Sequence, residues 1–275
     1  MRRLVARVGR SFALATPDAI GFHGNETRIM MRRPFLMNAL ARRMRHTDCE
    51  PIATELAGAE VVCDATGVLY APSENLLVVA DLHLEKGAAF ARRGMMLPPY
   101  DTLATLQLLA AAIGRYDPAR VLCLGDSFHD RRGAAYMPAP YREALTALMN
   151  GREWLWIKGN HDPEPPAFVG GATLDEARIG PWLFRHEPAP GLRHGEIAGH
   201  LHPSARVSAG GRSVRGACFA TDGARMILPS FGVTTGGLNV LDRAFHGLFR
   251  PEDAHALVIG TTRMFPIRFG ALCRS

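Results

Sequence analysis

A carboxylate and an imidazole directly follow one of the most apolar stretches of the chain. Residues 76–80 read LLVVA, and Asp81 and His83 come immediately after them. A short, uninterrupted apolar run of this kind predicts a strand that is buried on both faces. Because positions i and i+2 of a strand share a face, Asp81 and His83 would point the same way if the strand geometry persists. We therefore expect a pair of metal ligands at the carboxyl end of a central strand, where open α/β sheets place their sites.

Similar polar residues follow later apolar runs. The side chains with the character of metal ligands are Asp81, His83, Asp126, Asn160, His186, His200 and His202. Carboxylate, imidazole and amide ligands together suit Mn²⁺, Zn²⁺ or Fe²⁺. Seven ligands are too many for one ion, whereas two ions about 3.5–4 Å apart that share a carboxylate would use them all. The pattern therefore predicts a dinuclear metal site.

The histidine that follows residues 181–185 has a competitor in the same interval. His186 ends an apolar, strand-like segment, whereas His194 lies between Arg193 and Gly195. We favour His186 as the ligand for this reason, and His194 remains the alternative.

The elements that must position these residues change in type along the chain. Apolar runs at 76–80, 121–124 and 154–157 alternate with helical patterns at 101–114 and 141–149, which indicates a parallel α/β half. A hairpin turning at residues 65–67 precedes them, and residues 85–94 are predicted to be a flexible, basic turn. The later segments are short and glycine-rich, which favours a second, more antiparallel sheet.

The basic character of the chain belongs to its first residues. The formal net charge is +6, but residues 1–45 contain ten arginines and two acidic residues, a charge of +8. The remaining residues hold 22 basic and 24 acidic side chains, a charge of −2, so net charge is no argument that the body binds nucleic acid. We predict one folded domain over residues 50–270. Residues 1–45 would be a disordered arm, a transit-like segment or the product of a mis-assigned start, and we favour a tail or a later start.

Two compositional features bear on location. No apolar run approaches the roughly 18 residues of a membrane span, and no secretory signal is evident. The five cysteines are irregularly spaced and form no CxxC pair, which is typical of reduced thiols in a cytosol. We expect a cytoplasmic protein without a membrane partner.

The ordered motifs resemble the signature of calcineurin-like metallophosphoesterases. They are DLH at 81–83, GDSFHD at 125–130, GNHD at 159–162, His186, and GHLH at 199–202. The resemblance implies a four-layer α-β-β-α sandwich of two mixed sheets. It also implies that Asp81, His83 and His202 hold one metal, that Asn160, His186 and His200 hold the other, and that Asp126 bridges them. His161 would protonate the leaving oxygen, steadied by Asp162. Asp130 departs by one residue from the usual spacing of a supporting carboxylate.

A narrower resemblance covers roughly residues 50–270. DLHLEKG at 81–87, FARRG at 90–94, PPYDT at 98–102, GEIAGHLHP at 195–203 and FGVTTGGL at 231–238 are similar to the bacterial ligase-associated DNA damage response endonucleases. The resemblance implies a phosphodiesterase that uses two divalent ions, with Mn²⁺ preferred, and acts on DNA beside a DNA ligase, a helicase and an exonuclease.

The sequence predicts the reaction, phosphoester hydrolysis, but leaves several substrates open. Arg92, Arg93 and Arg185 are candidate phosphate contacts, although solvated positions explain them equally well. The alternatives to a DNA-directed nuclease are a phosphoesterase or pyrophosphatase for a small nucleotide or another non-nucleic-acid phosphoester, and a non-catalytic, metal-stabilised repair scaffold. The oligomeric state is not indicated.

Overall fold

The computed structural model describes residues 48–94, 101–130, 133–162, 170–209 and 211–274. The segment 1–45 lies outside the described residues, so the prediction of an arm or a later start stays a prediction.

The first sheet is mixed, and its parallel half carries the predicted ligand motifs. Its strands, in spatial order, are β1 (Ile52–Leu56), β2 (Ala59–Cys63), β3 (Leu69–Ala71), β4 (Leu76–Val79), β5 (Arg120–Leu124), β6 (Glu153–Ile157) and β7 (Ala172–Leu174). Strands β1 to β4 pair antiparallel, which confirms the predicted hairpin between β2 and β3. Strands β4 to β7 pair parallel, so the carboxyl ends of β4, β5 and β6 meet at one edge.

Helices cover one face of this sheet. They are α1 (Lys86–Arg92), α2 (Asp101–Tyr116), α3 (Gly133–Tyr136) and α4 (Ala139–Met149). Two expectations were wrong. The predicted flexible turn forms α1, because its alanines and long side chains favour a helix. Gly114 does not end α2, since the helix continues to Tyr116 and stops before Asp117, whose φ is +40°. No helix in the described ranges is long and apolar enough to cross a membrane.

The second sheet is also mixed. Its strands are β8 (Glu176–Ile179), β9 (Trp182–Arg185), β10 (Glu196–Ala198), β11 (Pro203–Ala209), β12 (Arg212–Thr221), β13 (Arg225–Ile227), β14 (Leu238–Asn239), β15 (His255–Ile259) and β16 (Met264–Arg268). Strands β9, β10 and β13 run parallel. The pairs β11–β12, β12–β15 and β15–β16 are antiparallel.

Three apolar layers stabilise this arrangement. Leu77 and Val79 of β4 pack toward the helices, while Leu76 and Val78 pack between the sheets against residues such as Phe184. Both faces of β4 are therefore buried, as the uninterrupted apolar run predicted. A third cluster covers the outer face of the second sheet, where a 3₁₀ turn at Arg243–Phe245 and its flanking loops replace long helices. The predicted α/β class with two mixed sheets is confirmed.

Candidate metal and catalytic site

The predicted ligands gather at one edge of the two sheets. Asp81 follows β4, Asp126 follows β5 and Asn160 follows β6, while His186 and His200 follow β9 and β10 of the second sheet. Because the ends of parallel strands meet on the same side of a sheet, residues distant in sequence come together here. All seven predicted ligands lie at this edge, and the exposed His194 lies outside the two ligand groups described below.

The backbone that presents the ligands is not strand. Strand β4 ends at Val79, and both Asp81 (φ +53°) and His83 (φ +46°) adopt left-handed conformations. The expectation that strand alternation would align them was therefore wrong, although the two side chains do converge. Asp126, His200 and His202 also have φ between +46° and +66°. Left-handed non-glycine residues are costly and persist where the surrounding structure requires them, often at functional sites.

Close backbone approach requires glycine beside these turns. A Cβ added to Gly159 would lie 2.2 Å from the backbone nitrogen of Asp126 and 2.3 Å from its Oδ1. A Cβ added to Gly125 would lie 2.5 Å from Nδ1 of His186. Both distances are shorter than van der Waals contact allows. Only glycine at these two positions therefore lets the ligand loops pack this closely.

The first ligand group is Asp81, His83 and His202, whose candidate ligand atoms lie within 4.8 Å of one another. Nε2 of His202 is 3.2 Å from Oδ1 of Asp81 and 3.4 Å from Nε2 of His83. Asp81 is fully buried, and burial together with the neighbouring His202 lowers the pKa of His83 to about 3. A neutral imidazole is the form that can bind a cation.

The second ligand group is Asp126, His186 and His200, and Asn160 lies against it. Oδ1 of Asn160 is 2.8 Å from Nε2 of His186 and 3.0 Å from Nδ1 of His200. The two imidazoles approach each other to 3.2 Å through the same nitrogens. Four potential donor atoms thus point at one small volume.

The protonation and hydrogen bonding of His186 indicate that the second ligand group suits a cation. Its Nδ1 lies 2.8 Å from the Leu124 carbonyl oxygen, which can only accept, so Nδ1 carries a proton and Nε2 faces the cluster. Metal-bound histidines characteristically donate their second N–H in this way. Burial alone would lower the pKa of His186, but Asp126 and Asp81 raise it to about 9. The cluster attracts positive charge, and its oxygen and nitrogen donors fit divalent ions such as Mn²⁺, Zn²⁺ or Fe²⁺.

His161 lies beside both groups and is oriented by a neighbouring loop. Its Nδ1 is 2.9 Å from the carbonyl oxygen of His129, and the two rings stack with centroids 5.5 Å apart. Its Nε2 lies 3.9 Å from Oδ2 of Asp126, and its side chain is 42% exposed. The His129 carbonyl therefore fixes the ring and leaves Nε2 directed toward the cluster.

Asp162 does not provide the expected support to the His161 ring. Oδ2 of Asp162 instead accepts a hydrogen bond from the backbone N–H of Phe128 at 3.0 Å. Its Oδ1 is buried without a hydrogen-bond partner among the described residues, and burial raises the pKa of the carboxyl group to about 7. The side chains of consecutive residues diverge here, so Asp162 supports the loop after β5 and the carbonyl of His129 supports His161.

A cavity of about 360 Å³ opens over the ligands and contains residues that sequence reasoning did not assign. Lys86 is the cationic side chain among its lining residues, and Nζ of Lys86 donates to the Thr234 carbonyl oxygen at 3.3 Å. His129 also lines the cavity, as do residues 235–237 of a glycine-rich loop. Lys86 could have been noticed from its place three residues after His83, at the start of an alanine-rich helix.

The predicted arginines are not among the described residues that line this cavity. Arg92 pairs with Asp130 at 3.0 Å and stacks over the Tyr136 ring, so Asp130 contacts Arg92 rather than the ligand groups in the contacts described. Arg185 lies 3.6 Å from Glu196 and 3.7 Å from Glu176. Arg93 follows the end of α1 and is exposed. Their assignment as phosphate contacts stays a prediction.

Comparison with known proteins finds a family match and similar solved structures. Residues 75–208 match the calcineurin-like phosphoesterase family, a range that includes all seven predicted ligands. The crystal structure of Pseudomonas putida nuclease MPE is similar, with 28% sequence identity and a TM-score of 0.61, over 79% of this chain and 100% of that chain. No curated protein matches the chain in sequence. Residues 75–208 therefore form a calcineurin-like phosphoesterase domain, and the protein is a hydrolase acting on phosphoester bonds.

Proposed function

We propose that this protein is a phosphodiesterase with two divalent metal ions, and that its substrate is nucleic acid. The observation that carries the proposal is the pair of adjacent ligand groups, Asp81–His83–His202 and Asp126–His186–His200, with the oriented His161 beside them. The similarity to a protein named as a nuclease supports a nucleic-acid substrate.

The proposal assigns each ligand a place. Asp81, His83 and His202 would hold one ion, and Asn160, His186 and His200 would hold the other. Asp126 would serve both, because its Oδ1 lies 3.5 Å from Nε2 of His186 and its carboxylate also interacts electrostatically with the His83 ring of the first group. Bound divalent ions supply Lewis acidity, which activates water and neutralises charge on a phosphate; we propose Mn²⁺, with Zn²⁺ or iron as alternatives.

His161 is proposed as the general acid. Its Nδ1–H donates to the His129 carbonyl oxygen, so a protonated ring would present the Nε2–H toward the cavity. An imidazolium in this orientation can donate the proton that the departing alkoxide needs. Stacking on the His129 ring keeps His161 in place without using Nε2.

Lys86 is proposed to bind the non-bridging oxygens of the phosphate. It is the cationic side chain that lines the cavity, and its bond to the Thr234 carbonyl oxygen directs the ammonium group to the cavity rim. Charge on these oxygens grows during phosphoryl transfer, so a fixed cation stabilises the transition state more than the substrate.

A role beside a DNA ligase, a helicase and an exonuclease in the cytoplasm follows from family resemblance and belongs to this proposal. The competing substrate is a small nucleotide or another small phosphoester, which the charge of −2 on the part of the chain after residue 45 would favour. The same metal chemistry would serve either substrate, so the distinction rests on the surface around the cavity.

Hydrolysis of two chromogenic esters tests the proposal. The protein is stripped with chelator, reloaded with Mn²⁺, and assayed with bis-p-nitrophenyl phosphate and p-nitrophenyl phosphate, for wild type, His161→Ala and the exposed control His194→Ala. We expect preference for the diester. The general-acid role is tested on a thymidine dinucleotide, whose leaving group is an alkoxide, because p-nitrophenolate departs without a proton. His161→Ala alone should lose about 10²-fold or more on the dinucleotide, with metal content unchanged. Preference for the monoester would indicate a phosphatase, and full activity of His161→Ala on the dinucleotide would refute the general-acid role.

A further inference from the structure

Helix α1 supports the wall of the cavity that carries the proposed general acid. His161 stacks on His129 with ring centroids 5.5 Å apart, and the ring of Phe90 lies 5.4 Å from the ring of His129. Phe90 belongs to α1, whose first residue, Lys86, lines the cavity together with His129 and His161. The contacts therefore lead from the general acid, by way of His129, to the middle of α1.

Arg93 directly follows α1 and lies on the same face of the helix as Phe90 and Lys86. Residues three and four positions apart are neighbours on a helix surface, and the Arg93 N–H donates to the Phe90 carbonyl oxygen at 3.0 Å, so the last turn continues to Arg93. Burial lowers the pKa of His129 to about 4, and the charges of Lys86 and Arg93 contribute to that shift. Two cations thus flank Phe90, about 10 Å apart along the helix axis.

The Arg93 guanidinium has no counter-ion in the part of the chain that the structure describes. Its neighbour Arg92 pairs with Asp130 at 3.0 Å, and Arg185 lies within 4 Å of two glutamates. Arg93 is exposed, and no hydrogen bond or ion pair of its side chain occurs among the described contacts. An unpaired guanidinium can bind a phosphate without first breaking an ion pair, and its planar donors match two phosphate oxygens. Of the three arginines predicted as phosphate contacts, Arg93 is therefore the best suited.

The charge at this edge of the cavity favours an anionic polymer. The chain after residue 45 carries a net charge of −2, but Asp130, which follows His129, is neutralised by Arg92. That pairing leaves the positive charge of Arg93 exposed beyond the lysine of the cavity. Nucleic acid carries one negative charge per nucleotide, so cations placed one after another favour a substrate with more than one phosphate.

We propose that Arg93 binds a second phosphate of the substrate, and that this phosphate belongs to the fragment released in the reaction. A general acid must lie beside the departing oxygen, and Phe90 and Arg93 extend from the side of the cavity that carries His161. The released fragment therefore leaves the cavity toward the end of α1. The inference rests on the proposed function, because it requires a substrate with successive phosphates.

Dinucleotides with one additional phosphate test this assignment. The full chain, loaded with Mn²⁺, is assayed on a thymidine dinucleotide without terminal phosphate and on the same dinucleotide with a 5′-phosphate or a 3′-phosphate. The products show which nucleoside departs as the alcohol, and so which terminal phosphate belongs to the released fragment. The variants are Arg93→Ala, Arg93→Lys and Arg92→Ala. Arg178→Ala is the matched control, since Arg178 is exposed on β8 and does not line the cavity over the ligands.

For wild type and Arg178→Ala, we expect the lowest KM when the additional phosphate belongs to the released fragment. Arg93→Ala should raise KM for that substrate about fivefold, the scale of an exposed ion pair, with a smaller change on the other two dinucleotides. Arg93→Lys should keep most of the preference, because it retains the charge. Arg92→Ala should change the preference less than Arg93→Ala, because Arg92 is already paired with Asp130.

The outcomes that would overturn the inference differ from those that would overturn the proposed function. Equal KM values for the three dinucleotides, preference for the other terminal phosphate, or a preference that survives in Arg93→Ala would refute the inference alone. Equal losses in Arg92→Ala and Arg93→Ala would also refute it, since the contact would then not be specific to Arg93. A wild type that cleaves bis-p-nitrophenyl phosphate but none of the dinucleotides would refute the nucleic-acid assignment. A wild type that cleaves neither would refute the proposed phosphodiesterase.

Discussion

Nε2 of His186 lies 2.8 Å from Oδ1 of Asn160, and the Leu124 carbonyl oxygen holds the only other ring nitrogen of His186 at 2.8 Å. With Nδ1 donating to that carbonyl, a neutral His186 would direct a lone pair at the amide oxygen. Such a pair of acceptors is repulsive unless a proton or a metal cation lies between them. The raised pKa of His186 supplies the proton in the absence of metal, and a divalent ion would replace it. This relationship connects the fold to metal-dependent chemistry.

Removing the cavity's lysine should weaken catalysis without removing metal. Lys86→Met is expected to lower kcat/KM for bis-p-nitrophenyl phosphate by about tenfold, because charge on the non-bridging oxygens loses a fixed cation. Lys158→Met is the matched control, since Lys158 is half-buried and pairs with Asp175 outside the cavity. Steady-state kinetics with metal analysis measures both. Wild-type kinetics in Lys86→Met would contradict the proposed role of Lys86 and would favour the predicted arginines as the phosphate contacts.

Two glycine-to-alanine substitutions should have opposite effects. Gly159→Ala places a Cβ 2.2 Å from the Asp126 backbone, so it should displace the loop that carries the predicted bridging ligand and abolish diester hydrolysis. Gly114→Ala lies inside α2 with no atom within 4 Å of the added Cβ, and should stabilise the fold by about 0.5–1 kcal/mol. Denaturant unfolding and activity assays compare them. An active Gly159→Ala enzyme would contradict the close packing of these loops.

Stability of the metal-free protein should depend on Glu85. Burial raises the pKa of Glu85 to about 7 from an ordinary value of 4.5. Between these pH values the unfolded state releases the proton while the native state keeps it. The free energy of unfolding of the wild type therefore falls as pH rises, and the loss is complete above pH 7. Glu85→Gln has no carboxyl group to ionise, so the stability of this variant relative to wild type should increase by about 2–3 kcal/mol between pH 4.5 and pH 7.

Chemical denaturation with chelator present, over that pH range, measures the difference. The exposed Glu143 on α4 provides the control Glu143→Gln, which should show no such trend. A constant difference between Glu85→Gln and wild type across the range would mean that Glu85 ionises normally in the folded state.

The end of strand β4, and with it the ligand Asp81, could be predicted from the sequence. The strand is buried on both faces, so its residues form an uninterrupted apolar run whose end is easily located. The conformation beyond that end was not visible, because the left-handed turns at Asp81 and His83 depend on contacts with Asp126 and Gly199 far along the chain.

Other features escaped sequence reasoning because they depend on tertiary packing. The His129 carbonyl orients His161 only after the loops following β5 and β6 have met. Lys86 reaches the cavity through a bond to Thr234, 148 residues later.

Metal stoichiometry linked to activity tests the central claim most directly. Wild type and His186→Ala are dialysed against chelator, equilibrated with Mn²⁺, and measured for bound metal per chain and for hydrolysis of bis-p-nitrophenyl phosphate. We predict two ions per wild-type chain, about one in His186→Ala, and activity that requires both ions. Full diester hydrolysis by the stripped wild type, or fewer than two ions per wild-type chain, would contradict a dinuclear catalytic site, and two ions in His186→Ala would refute His186 as a ligand.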